Sequence, residues 1–217
     1  MSSIRPPFFF NWLSPKYLLC DLTSERKVIY LTFDDGPIPE ATPDVLEILT
    51  KYDAKATFFV VGDNVRRHPG VFDLVVQAGH AIGNHTFHHL NGWHTAPGAY
   101  IDDVYRCREF ADSRLFRPPY GRFTPSQYLL LRKDFRFILW SVLSSDYHRH
   151  TTPEQCLANA LDHTGSGSIV VFHDSVKAIE KVRYALPRFL EHFSELGYRF
   201  EGIQEEVIHI APSSAKL

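Results

Sequence analysis

Strand-type segments that alternate with helical segments constrain the fold of this chain more than any other sequence feature. Short runs of apolar and β-branched residues predict strands at residues 28–33, 56–61, 81–83, 115–116, 137–140, 169–172 and 198–200. The segments between them repeat apolar residues at helical spacing, for example at Val45, Leu46, Ile48, Leu49 and Tyr52. Alternation of this kind predicts right-handed crossovers and a parallel sheet, either open or closed into a barrel.

The length of 217 residues fits one domain around one hydrophobic core. We predict this domain over residues 26–217, preceded by an arm at residues 1–25 that packs across the barrel. The three cysteines are widely spaced and lack a C-x-x-C pair, so they suggest neither a disulfide framework nor a thiolate zinc site. We expect buried thiols at Cys20, Cys107 and Cys156.

Composition limits the partners of the chain. Hydrophobic residues make up 44% and charged residues 22%, as in a folded soluble protein. The net charge of -2 gives no electrostatic reason to expect nucleic acid or an anionic membrane as partner. No apolar run is long enough to span a bilayer, and the N-terminal run is interrupted before it reaches signal-peptide length. We expect a cytoplasmic location, or an extracytoplasmic one if a leader was removed, and the oligomeric state stays open.

Two adjacent carboxylates follow the first predicted strand. Asp34 and Asp35 come directly after the run 29–33 and precede Gly36-Pro37, which is a turn signal. Both side chains therefore lie at the carboxyl end of a strand, where parallel sheets place their active sites. An Asp-Asp-Gly-Pro stretch that only makes a turn is the alternative interpretation.

A histidine cluster follows the third predicted strand. His85 and His89 are four residues apart, a spacing that puts two imidazoles on one helical face and suits chelation of one metal ion. Two histidines with one carboxylate are typical of hydrolytic zinc sites. His88 lies three residues from His85 and could also chelate, so the spacing alone leaves the second histidine undecided.

Two further polar residues lie at predicted strand ends. Arg117 follows the fourth strand in an Arg-Pro-Pro-Tyr-Gly segment, where it could lie against a carboxylate. His173 ends the apolar run 169–172 and is a candidate acid or base, because its ordinary pKa is near neutrality. A solvated arginine and a core histidine are the corresponding structural alternatives.

Taken together and in this order, these segments resemble the motifs of the polysaccharide deacetylases with the NodB homology domain, carbohydrate esterase family 4. The stretch Thr32-Phe33-Asp34-Asp35-Gly36-Pro37 is similar to the first motif, and His85-Thr86-Phe87-His88-His89 to the second. This resemblance implies that Asp34 is the catalytic base and that Asp35, His85 and His89 hold the metal. It thereby favours His89 over His88.

The third and fifth motifs resemble Arg117-Pro118-Pro119-Tyr120 and Val171-Phe172-His173. The resemblance implies that Arg117 orients the base, that the Tyr120 backbone N–H stabilises the oxyanion and that His173 is the general acid. It also implies a substrate site that includes Pro119 and Val171. The implied fold is an α/β, TIM-barrel-like, distorted (β/α) barrel of about seven parallel strands.

The fourth motif departs from the family pattern D-x-x-D-W. Leu143 stands where the first Asp is common, and Tyr147 stands where the Trp is common. Asp146, which the resemblance implies supports His173, is retained. We therefore expect catalysis to survive, with Tyr147 forming part of an altered substrate wall.

The expected activity is metal-dependent hydrolysis of the acetamide of an N-acetylated sugar, with release of acetate. The expected cofactor is a divalent metal, with zinc preferred and cobalt, manganese and nickel as alternatives. Two histidines and one carboxylate also describe the triad of iron(II) oxygenases. A carbohydrate-binding relative without turnover and a deacetylase of a non-carbohydrate amide are the remaining alternatives.

Overall fold

The computed structural model describes residues 18–22 and 26–205. Within these ranges the chain forms nine strands: β1 Leu18–Leu19, β2 Val28–Asp34, β3 Thr57–Val60, β4 Ala81–Asn84, β5 Leu115–Phe116, β6 Arg136–Ile138, β7 Val142–Leu143, β8 Ile169–His173 and β9 Arg199–Glu201. It also forms seven α-helices: α1 Thr42–Lys51, α2 Gly62–Arg67, α3 Pro69–Gln77, α4 Pro97–Arg108, α5 Pro125–Leu131, α6 Pro153–Leu161 and α7 Ile179–Glu195.

The strands form one curved parallel sheet in the order β1-β6-β5-β4-β3-β2-β8-β7. β9 pairs with the first half of β2, on the side where β3 pairs with the second half. No ladder joins β1 to β7 in the part of the chain that the structure describes, so the sheet is an open half-barrel. The predicted α/β fold of parallel strands is confirmed. The structure contains all seven predicted strands and two that were not predicted, β1 and β7, which have only two residues each.

β2 lies in the interior of the sheet, between β8 on one side and β3 and β9 on the other. All seven of its residues are buried, as expected for a parallel strand covered on both faces. Helix α7 packs against the outside of the sheet through Val182, Leu186, Phe189 and Phe193, all buried. These side chains recur every three or four residues, which gives a helix of this length one continuous apolar face.

The predicted arm falls largely outside the described residues. Of residues 1–25 the structure describes 18–22, where β1 pairs with Phe137 and Ile138 of β6. The domain boundary at residue 26 therefore stays a prediction, as does the extent of the domain beyond residue 205. Cys107 and Cys156 are buried free thiols as expected, whereas the free thiol of Cys20 is only partly buried. Within the described ranges no helix has the length and apolar character needed to cross a membrane.

Candidate metal centre and active site

One edge of the sheet collects the polar residues that the sequence singled out. Asp34 ends β2 and pairs in register with His173, which ends β8. The loop after β4 carries His85 and His89, and the loop after β5 carries Arg117. A cavity of about 790 Å³ opens at this edge.

Three side chains in the cavity form a candidate metal site. Asp35, His85 and His89 each present a ligand atom, and these atoms all lie within 4.8 Å of one another. Asp35 Oδ1 lies 3.1 Å from His89 Nε2 and 3.8 Å from His85 Nε2. The backbone at Asp35 and His89 has φ of 84° and 57°, in the left-handed region that non-glycine residues rarely occupy. Such conformations concentrate at functional sites, because the surrounding structure must hold them in place.

The protonation of these side chains suits a divalent cation. His85 Nδ1 donates to the Arg117 carbonyl oxygen over 2.7 Å, which leaves the unprotonated Nε2 as the ligand atom. Burial lowers the pKa of His85 to about 4, so the ring is neutral. Burial alone would raise the pKa of Asp35, but the hydrogen bond from His89 and the nearby His173 and His85 together lower it. A neutral imidazole and an ionised carboxylate are the forms that bind a metal.

His88 lies outside this triad. Its Nδ1 lies 2.5 Å from Asp103 Oδ2, and the ligand cluster contains His89 instead. The fold therefore places His89, and not His88, beside Asp35 and His85.

Arg117 fixes the second carboxylate. Its side chain is completely buried, and Nη1 donates to Asp34 Oδ1 and to Thr32 Oγ1, each over 2.7 Å. Its Nε and Nη2 donate to the carbonyl oxygens of Ile138 and Leu139. Because four donors are engaged in fixed directions, the guanidinium has one position, and so has the Asp34 carboxylate. Lysine has no planar fork and would not reproduce these contacts.

Asp146 fixes His173 in a comparable way. Asp146 Oδ1 lies 2.6 Å from His173 Nδ1, and Oδ2 accepts from the His173 backbone N–H over 2.7 Å. Burial alone would lower the pKa of His173, but the carboxylates of Asp146, Asp35 and Asp34 outweigh it and raise this pKa to about 10. The ring is therefore protonated at neutral pH, with Nε2 as its second N–H donor.

Of the three predicted substrate-binding residues, two line the cavity and one does not. Val171 and Tyr147 line the cavity, and the Tyr147 ring lies edge-on to His173 with centroids 5.0 Å apart. Pro119 is buried within its turn, and its neighbour Pro118 lines the cavity. Tyr120 has φ of 60°, and its ring lies against His89 at 4.8 Å.

The fold adds supports that motif spacing did not reveal. The buried Asp174 accepts from the Gly36 backbone N–H over 3.0 Å and from Thr42 Oγ1 over 2.7 Å, so it ties the loop after Asp35 to helix α1. A Cβ at Gly36 would lie 1.9 Å from Asp174 Oδ2, and the close approach therefore requires glycine. Asn64 of α2 donates to the Asp35 carbonyl oxygen over 2.7 Å. The sequence offered one signal for these supports, the Asp next to His173.

Comparison with known proteins agrees with this geometry. The family model for polysaccharide deacetylase matches residues 21–134. A peptidoglycan-N-acetylglucosamine deacetylase from Bacillus cereus is 32% identical over 197 residues, covering 87% of this chain and 92% of that protein. A chitooligosaccharide deacetylase from Azorhizobium caulinodans is 36% identical over 161 residues, covering 70% and 76%.

Solved structures show the same fold. The crystal structure of a peptidoglycan N-acetylglucosamine deacetylase matches with a TM-score of 0.84 and 26% identity, covering 91% of this chain and 95% of that one. The residues of this chain that the family model matches include the carboxylate pair, the histidine cluster and Arg117. The chain therefore belongs to the polysaccharide deacetylase family.

Proposed function

We propose that this protein is a metal-dependent deacetylase that hydrolyses the acetamide of N-acetylated sugars and releases acetate. The observation that carries the proposal is the meeting of three units in one cavity: the Asp35, His85 and His89 cluster, the Asp34–Arg117 pair and the Asp146–His173 pair. Each unit corresponds to one requirement of amide hydrolysis, namely an electrophile, a base and an acid.

Different residues at the cavity perform different steps of the hydrolysis. A divalent ion held by Asp35, His85 and His89 would supply Lewis acidity at this position, with zinc preferred and cobalt, manganese or nickel as alternatives. Asp34, with one oxygen held by Arg117, takes a proton from the attacking water. The Tyr120 backbone N–H stabilises the developing oxyanion, and Val171 contacts the acetyl methyl group. His173 donates the Nε2 proton to the departing amine, while Asp146 holds Nδ1.

The arrangement favours hydrolysis over the alternatives. An iron(II) oxygenase would need the triad but would have no use for a base and an acid that are each fixed by a buried partner. A binding protein without turnover would likewise not need Asp34 and His173 in the same cavity. Leu143 and Tyr147, which replace the usual fourth-motif residues, line the cavity wall and leave both pairs intact.

Acetate release tests this proposal. We expect acetate from at least one substrate in a panel of chitooligosaccharides, peptidoglycan fragments, acetylated xylan and small N-acetyl amines. Chelation should abolish the release and one divalent ion per chain should restore it, because the three protein ligands leave the ion exchangeable. Full activity in a verified metal-free sample would rule out the metal role. Absence of acetate from every substrate would favour the binding alternative.

Charge at the rim of the cavity favours an acidic glycan among the possible substrates. Arg122 and Lys177 line the cavity, and neither has a carboxylate partner among the residues that the structure describes. The carboxylates of the cavity are engaged elsewhere: Asp34 with Arg117, Asp35 with its histidines, and Asp63 with Arg66 and Arg67. Peptidoglycan strands carry peptide carboxylates, whereas chitooligosaccharides are neutral. We therefore propose peptidoglycan as the preferred substrate, which would require the extracytoplasmic location considered above.

Neutralising these cations tests the preference. Arg122→Gln and Lys177→Gln should each lower kcat/KM on acidic peptidoglycan fragments by about two- to fivefold, the range for a partly exposed ion pair. The value on neutral chitooligosaccharides should stay unchanged, and added salt should shrink the difference. Lys51→Gln, on the surface of α1, serves as the matched control. Equal losses on acidic and neutral substrates would contradict the charge argument.

A further inference from the structure

A second Asp–His pair, Asp103 and His88, places its histidine in the wall of the same cavity and has no part in the chemistry described above. Asp103 Oδ2 lies 2.5 Å from His88 Nδ1, and Oδ1 accepts from the backbone N–H of Phe87 and of His88 over 2.8 and 2.9 Å. This is the pattern of Asp146 and His173, in which one carboxylate binds both the backbone and the ring of the same histidine. Among the described residues these two pairs share that pattern.

The two oxygens of Asp103 have separable tasks. Oδ1 anchors the loop between the metal ligands His85 and His89 through two backbone N–H groups. Oδ2 contacts the His88 ring. Asp103 comes from α4 and is 7% exposed, so its carboxylate is held inside the protein. Oδ1 would anchor the loop whether or not residue 88 were a histidine. Support of the loop therefore does not explain why residue 88 carries an imidazole ring.

The His88 ring is placed to meet a ligand. Its side chain is 49% exposed and lines the cavity, although Nδ1 is tied to a buried carboxylate. Fixing Nδ1 sets the plane of the ring and leaves Nε2 as the atom available for another hydrogen bond. The Phe87 ring meets the imidazole edge-on at 4.6 Å and restricts it further. An imidazole with one ring nitrogen hydrogen-bonded and the other available is pre-organised for binding, because little rotamer entropy remains to be lost.

We propose that His88 is a substrate-binding residue whose Nε2 hydrogen-bonds a hydroxyl group of the sugar, with Asp103 as its positioning residue. The proposal rests on the proposed function and adds to it a contact on the sugar rather than on the acetamide. Sugar hydroxyls both donate and accept, so they match Nε2 in either protonation state. The contact is made in the bound substrate as well as in the transition state, and it should affect KM more than kcat.

His88→Phe separates this role from loop support, because it keeps an aromatic ring and leaves the Oδ1 anchor in place. We expect an unchanged metal content, a kcat within about twofold of the wild type and a KM raised by about five- to tenfold, the effect of one lost hydrogen bond. His163→Phe, an exposed histidine outside the cavity, is the matched control. A second measurement uses N-acetylglucosamine tetrasaccharides that each lack one hydroxyl group. Removing the hydroxyl that His88 binds should weaken binding to the wild type. The same removal should have no effect on binding to His88→Phe, because the partner of that hydroxyl is already absent.

Each of the following results would overturn the proposal. Loss of metal in His88→Phe would show that the ring supports the ligand loop, and an unchanged KM would show that it does not contact the sugar. Additive losses for every deoxy sugar would exclude a hydroxyl partner. If the wild type releases no acetate, the proposed function fails on its own, and the His88 contact is tested by calorimetric titration with the same tetrasaccharide and with a peptidoglycan fragment. Equal heats and affinities for wild type and His88→Phe, or no binding by either, would then reject it.

Discussion

His173→Ala should lose turnover by about 10²- to 10⁴-fold, the usual contribution of a general acid, while its metal content stays at the wild-type level. The departing amine needs a proton, and His173 Nε2 is the donor that the fold fixes beside Asp34 and Asp35. The substitution leaves the three proposed metal ligands unchanged. Turnover therefore reports on the chemical step, and metal content reports on metal binding. Comparable turnover in wild type and variant, with equal metal content, would remove His173 from the mechanism.

Asp146→Asn provides the control for this assignment, because it leaves the imidazole in place. The carboxylate of Asp146 stabilises the charged ring and is the leading cause that raises the pKa of His173 against burial. The acid is active when protonated, so activity should fall as the pH rises through this pKa. With the carboxylate neutralised the pKa falls, and the basic limb of the pH profile should move to lower pH. A basic limb at the same pH in both proteins would mean that Asp146 does not govern the acid.

The sequence predicted that the polar site residues lie close together because these residues follow parallel strands that end at the same edge of the sheet. The runs before Asp34, His85 and His173 are short and apolar, and parallel strands bring their carboxyl ends to one edge. The register of β2 and β8, with Asp34 opposite His173, follows from this arrangement. The assignment of separate roles to these side chains came from the family resemblance and not from spacing.

The contacts that the sequence did not reveal join residues far apart in the chain. Asp174 reaches Gly36 across 138 positions, and Asp103 reaches His88 across 15 positions from a helix with no motif of its own. Strands β1 and β7 were missed; two residues are too few to show an alternating pattern, and the equally short β5 was predicted only as an apolar pair. Such elements form only because neighbouring strands present a free edge, which a single sequence window does not contain.

The buried Arg117 limits which substitutions at Asp34 can be interpreted. A charged side chain in a low-dielectric interior is costly unless it is paired and hydrogen-bonded, and Asp34 is the one carboxylate bound to it among the described residues. The same contact therefore stabilises the fold and orients the proposed base. A substitution at Asp34 must preserve the hydrogen bond if a loss of activity is to be interpreted as chemistry. Asparagine does so, since its amide oxygen still accepts from Arg117 Nη1.

Asp34→Asn and Asp35→Asn should fail for different reasons although the two residues are adjacent. Asp34→Asn should keep its metal, because all three ligands are intact, and should lose turnover by about 10²- to 10⁴-fold since an amide does not accept the proton of water at neutral pH. Asp35→Asn should bind the metal more weakly, because the single anionic ligand of the triad becomes neutral. This loss of affinity should exceed the roughly 10- to 100-fold effect of removing a partner outside the ligand set.

Metal titration distinguishes the two variants. Acetate release and metal content should be measured for both across rising metal concentration, with thermal unfolding as a check that the Arg117 contact survives in Asp34→Asn. Excess metal should recover part of the rate in Asp35→Asn, because occupancy is what this variant lacks, and none in Asp34→Asn, whose site is already filled. Equal loss of metal in both variants would contradict the division of roles, and so would normal hydrolysis by Asp34→Asn. The strained φ of 84° at Asp35 adds a structural reason for the difference, since it turns this side chain toward the histidines while Asp34 stays bound to Arg117.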